Sequence, residues 1–207
     1  TIIMWTLFLA VVYSLFYFVR VSEEVGIWLT IVTHVFALPS IITYFPSFLS
    51  ISTFITVIVS VMYHIIKDLY NNDTDQQFRR FDHGWAVFLI YAILFRIYYR
   101  KIPEWSIFVL VMISIIPAAF LTMHIPLAII AFVIMLCLLC YNYNRYLLIA
   151  FFLFISAAAS RYLPIIDNKY HVHSIWHALI FTAVYYAQAG IKHNDIKSGY
   201  KAVPEFV

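Results

Sequence analysis

Long apolar runs recur from one end of this chain to the other, and nothing constrains its fold more. Eight can be marked off, at roughly 1–19, 27–45, 48–66, 82–99, 105–122, 126–142, 146–163 and 173–191, each closed by charges, turn residues or proline. Each is near the ~20 residues with which an α-helix crosses ~30 Å of hydrocarbon. Inside a bilayer every backbone N–H must find its acceptor within the segment, and that favours helices. The runs are too long and too continuous for the alternating strands of a β-barrel. The expectation is an all-α, polytopic transmembrane helical bundle whose short turns join antiparallel neighbours.

Composition points the same way. The chain is 64% hydrophobic and 11% charged, whereas soluble domains are about half apolar and about a quarter charged. The longest polar stretch is YNNDTDQQFRR, residues 70–80. That is too short for an appended soluble module, so one integral, multi-pass membrane domain is expected. A net charge of +3, scattered along the chain, excludes a nucleic-acid partner. Cys137 and Cys140 imitate a redox spacing, but thiolates are poorly stabilised in hydrocarbon. They read as small packing residues. The first run is long and lacks a small-residue cleavage site, so it reads as a retained helix.

Orientation follows from flanking Lys and Arg. If all eight runs cross, one face carries Arg96, Arg100, Lys101, Arg145, Lys192, Lys197 and Lys201 with few acids. The other carries Arg20, Lys67, Arg79, Arg80, Arg161 and Lys169 among many acids. The first face, with the C-terminus, is expected in the cytoplasm.

The polar residues inside these runs carry the chemistry. An ionisable side chain at mid-helix costs about 2.5–3.5 kcal/mol on insertion scales, so it is expected to face inward with a partner. Ser60 and His64 stand four apart at the end of the third run, in VSVMYHIIKD; Asp82 lies at the start of the fourth, in RRFDHGW; His173 and His177 stand four apart in HSIWH, at the start of the last. A spacing of four places each pair on one helical face. Alternation of the spans brings all five residues to similar depth near one membrane face. Three imidazoles with no soft ligand suit Zn²⁺, with His64, His173 and His177 as ligands and a fourth position open. Asp82 is then a hydrogen-bond acceptor for a ligand N–H, or the base of the reaction. Ser60 is a donor to the zinc-bound group or to a developing oxyanion. Haem would want one histidine on each of two spans, so a pair on one helix fits zinc better. His34 and His124, alone in apolar surroundings, read as hydrogen-bonded packing residues. His83 and His171 read as interfacial, and His193 as part of the tail.

The set S-x₃-H, then D, then H-x₃-H resembles the signature of the CREST superfamily of seven-helix membrane proteins. That superfamily includes alkaline ceramidases, adiponectin-type receptors and GPI-remodelling proteins. HSIWH together with ALPS, residues 37–40, looks most like the branch that holds myomaker and a GPI-cleaving phospholipase. The resemblance implies seven core helices over 27–192, one additional N-terminal helix over 1–22, and a short tail over 193–207. It also implies a zinc-dependent hydrolase of lipid esters or amides, with a membrane lipid as substrate. Asp68 and Asp75 compete with Asp82 for the aspartate role; FDHGWAVF opens a helix as the family's aspartate segment does. The cysteine-rich parts of both named relatives are missing here. A second expectation is therefore a non-catalytic, structural or accessory membrane subunit that keeps the zinc site for folding. In that reading the N-terminal helix is a contact for partner membrane proteins.

Overall fold

The computed structural model describes residues 23–69, 75–98, 144–162 and 169–199, with isolated positions between 103 and 137. Every element among the described residues is helical. The first expected run, and most of the fifth and sixth, lie outside them, as do His124 and Cys140 and the side chains of Asp68, Asp75 and His171.

Helix α1, Glu23–Val32, passes through a 3₁₀ turn, Thr33–Ala37, into α2, Leu38–Tyr44. Pro39 explains the tightening. It has no N–H to offer the Val35 carbonyl, and its ring crowds that carbonyl. The Leu38 N–H bonds to Val35 O instead, one residue tighter than an α-helical bond. A turn at residues 45–47 leads into α3, Phe48–His64, where Ser47 Oγ accepts the Ser50 N–H at 3.2 Å and caps the first turn. Immediately after His64 the helix widens into a π turn, Ile65–Leu69. Helix α4 spans Asp75–Tyr98, α5 spans Arg145–Tyr162 and α6 spans Lys169–Lys197.

Among the described residues, three helical stretches are long and apolar enough to cross a membrane: Val25–Tyr44, Phe48–Lys67 and Arg79–Tyr98. They coincide with the second, third and fourth expected runs. Arg145–Ser160 is apolar but shorter. Helix α4 starts earlier than its apolar run because Gln and Arg, good helix formers, continue it into polar sequence. Helix α6 exceeds its run at both ends in the same way.

Helix α6 lies at the centre. It packs along α5 and also against α1, the 3₁₀ turn, α2 and α4, while α3 packs on α4. Lipid tails are as apolar as leucine, so helices in a bilayer are held by close packing and buried hydrogen bonds. Both are present. Ala150, Ala183 and Ala187 are buried where α5 and α6 meet. A Cβ built on Gly190 would sit 2.7 Å from the Leu147 side chain and 3.2 Å from its backbone nitrogen. Only glycine admits that approach without a shift. Phe88, Leu89, Ile93, Phe151 and Val184 belong to the same buried core as Leu147. Three threonine hydroxyls are satisfied within their own helices: Thr53, Thr56 and Thr182 each donate to the carbonyl four residues back, at 2.7–2.8 Å. Cys137, expected to pack inside, is exposed and unpaired.

Candidate metal centre

Helix α3 delivers His64 in its last turn, and α6 delivers His173 and His177 one turn apart on one face. The three side chains converge. Nε2 of His64 is 3.2 Å from Nε2 of His177 and 3.1 Å from Nε2 of His173. One ligand nitrogen from each lies within 4.8 Å of the others. His64 and His177 are each 2% exposed, and His173 is half-buried.

Hydrogen bonding alone accounts poorly for this arrangement. An imidazole nitrogen carries either one proton or one in-plane lone pair, so it serves one such partner well. Nε2 of His64 faces two other Nε2 atoms. A cation between the rings satisfies all three lone pairs together. The spacing agrees: two nitrogens each about 2.05 Å from a tetrahedral zinc lie about 3.3 Å apart. The buried His64, His173 and His177 group could therefore hold a metal ion. Imidazole suits zinc, and also copper, nickel and iron.

The walls are aromatic. The His177 ring stacks at 13° on Phe181, with 5.9 Å between centroids, and meets Trp176 edge-on at 4.9 Å. Phe36, Ala37, Ala178 and Phe181 form a small apolar cluster beside it. Such walls exclude water and strengthen any charge interaction inside them.

Ser60 sits one turn before His64 on α3 and is 2% exposed. Its Oγ is buried without a hydrogen-bond partner among the described residues. Asp82 is buried on α4, which packs on α3. The ligand group itself contains the three imidazoles and no carboxylate, so Asp82 stands outside the direct ligand set. His83, expected at the interface, is half-buried.

His34 departs from its expectation. It is hydrogen-bonded, as expected, but it is not alone. Its ring lies 4.2 Å from that of His177 and 6.0 Å from that of His64. The signal was present in the sequence: the alternation that aligns the third and last runs also puts His34, in the second, near the same depth. Thr30, four residues before it in the same run, marks the same helical face as polar.

A buried hydroxyl network holds this side together. Thr30 Oγ1 donates to Gly26 O at 3.0 Å, so in its 3.0 Å contact with Ser174 the serine is the donor. Thr33 Oγ1 donates to Thr30 O at 2.7 Å. Ser174 lies between the two histidines of α6, and this bond therefore ties α1 to the ligand-bearing turn.

A second polar cluster occupies the other end of α6. Arg96 of α4 pairs with Asp195 at 2.9 Å, and both are buried. Asn144 Nδ2 donates to Gly190 O at 3.0 Å and to Asn194 Oδ1 at 2.8 Å, while Asn144 Oδ1 caps α5 through the Tyr146 N–H.

No family model, curated protein or solved structure matches the chain.

Proposed function

We propose that this protein is a membrane-embedded, zinc-dependent hydrolase that cleaves a lipid acyl ester or amide. The observation that carries the reading is the convergence of three imidazole nitrogens at 3.1–3.2 Å from two helices far apart in sequence. The burial of that centre beside three membrane-length helices supports a lipid as the class of substrate. The resemblance of S-x₃-H, D and H-x₃-H to the CREST signature supports the same chemistry. It brings with it a core of seven helices over 27–192 and an additional N-terminal helix, while the flanking Lys and Arg favour a multi-pass topology with the C-terminus cytoplasmic and the centre near the opposite face.

His64, His173 and His177 would hold the zinc. When bound, zinc supplies Lewis acidity toward a carbonyl oxygen. The chain does the rest. Ser60 has a buried hydroxyl whose proton is not committed elsewhere among the described residues, and it donates to the oxygen on which charge develops. Asp82 takes up the proton released in the reaction. The aromatic walls keep bulk water away from the charged species.

The test is direct. Purified protein should contain one zinc, release fatty acid from a panel of glycerolipid esters and sphingolipid amides, and lose both properties in His177→Ala. Full hydrolysis by metal-free His177→Ala protein would refute the mechanism. The near-complete burial of His64 and His177 favours a second reading, a structural zinc site in a non-catalytic subunit. Zinc-dependent thermal stability without hydrolysis of any panel lipid would select it.

A further inference from the structure

We infer that His34 is a positioning residue of the histidine centre: its Nε2 accepts a hydrogen bond from an O–H or N–H group of the ligand held by His64, His173 and His177. This rests on the metal-centre reading above.

The tautomer is fixed by its partners. Nδ1 of His34 lies 3.1 Å from both the Thr30 and the Ile31 carbonyl oxygens. A carbonyl oxygen only accepts, so Nδ1 carries the proton and Nε2 presents a bare lone pair. That Nε2 is buried and has no hydrogen-bond partner among the described residues. A packing role alone leaves a strong acceptor desolvated and unused, which costs stability. The ring is 4% exposed and lies 4.2 Å from the ring of His177, with Phe181 5.4 Å away. It does not belong to the set of nitrogens within ligand distance of one another, so it borders the metal rather than binding it.

The backbone is shaped to hold this position. The 3₁₀ turn begins at Thr33 and includes His34. Ser174, between two of the ligands, ties the same stretch to α6 through Thr30. The imidazole that binds no metal is thus fixed to the helix that supplies two of the imidazoles that do. A phenylalanine would satisfy the ring contacts equally well; a histidine adds the Nδ1–H bond to the backbone and the Nε2 acceptor.

The test uses the full chain in detergent, loaded with Co²⁺ in place of zinc. Wild type, His34→Phe and His34→Gln are compared by cobalt stoichiometry, by the visible cobalt spectrum, and by affinity for two probes. One probe is a medium-chain acyl hydroxamate; the other is its N-methyl counterpart, which chelates metal but lacks the N–H. All three proteins should bind one cobalt. Wild type should favour the N–H hydroxamate about tenfold, the size of one hydrogen bond. His34→Phe should lose that preference, and His34→Gln, whose side-chain carbonyl accepts, should recover part of it. A changed cobalt spectrum in probe-free His34→Phe, with no change in probe preference, identifies water as the donor and also supports the inference. Identical spectra and identical probe affinities in wild type and His34→Phe overturn it. Loss of cobalt from both variants overturns it too, since His34 would then be a ligand or a folding residue. Wild type that takes up no cobalt removes the metal-centre reading and this inference together.

Discussion

The two ends of α6 are both polar, both buried and built on opposite plans. At the Asp195 end, polar groups from three helices pair with each other: the Arg96 guanidinium with Asp195, and Asn144 with Gly190, Asn194 and Tyr146. At the His173 end, three imidazole nitrogens crowd together, and the Ser60 hydroxyl and His34 Nε2 lie buried with no hydrogen-bond partner among the described residues. The first arrangement pairs charge with charge and amide with amide from the protein's own atoms. In the second, the three imidazoles could hold a metal ion. Polar groups that satisfy each other hold helices together; polar groups that converge without doing so mark a place for something else.

The contrast can be broken or sharpened by substitution. The largest effect is expected from His177→Ala or His64→Ala, which should weaken zinc binding by at least about a hundredfold in competition with a chelator. Neither substitution should disturb the Arg96 end. Next comes Asp195→Ala. Removing one partner of a buried ion pair costs about 3–5 kcal/mol. Equilibrium unfolding in mixed micelles should show that loss while elemental analysis still finds one zinc. Gly190→Val should cost about 1–3 kcal/mol, because the added methyls meet Leu147 at the α5–α6 contact. Ser174→Ala should cost about 1 kcal/mol by removing the bond to Thr30. Smallest in stability is Ser60→Ala, expected within about 0.5 kcal/mol because the hydroxyl makes no hydrogen bond among the described residues. Hydrolysis in that variant should nevertheless fall about 10²–10³-fold if the hydroxyl steadies an oxyanion. A zinc loss in Asp195→Ala equal to that in His177→Ala would erase the distinction between the ends.

Much of this was legible in the chain. Apolar run length alone located Val25–Tyr44, Phe48–Lys67 and Arg79–Tyr98, because a membrane-length helix writes its boundaries in hydropathy. The spacing of four in S-x₃-H and H-x₃-H placed each pair on one face, and alternation of spans predicted that His64 and the α6 pair share a depth. What stayed hidden is what spacing does not encode. Arg96 and Arg145 read as flanking charges near a membrane face. Nothing local says that Arg96 turns inward to Asp195, ninety-nine residues away, while Arg145 lies over the ring of Tyr146. Thr30 and Ser174 are ordinary helix residues until packing puts their hydroxyls 3.0 Å apart. The polar starts of α4 and α6 were missed because propensity, not hydropathy, extends a helix into water.

The central helix runs unbroken from Lys169 to Lys197, 29 residues, or about 43 Å of rod. Both polar clusters are bolted to it, one near each tip. A stiff rod fixed at two distant points holds the Arg96–Asp195 pair and the imidazoles at a set separation along one axis.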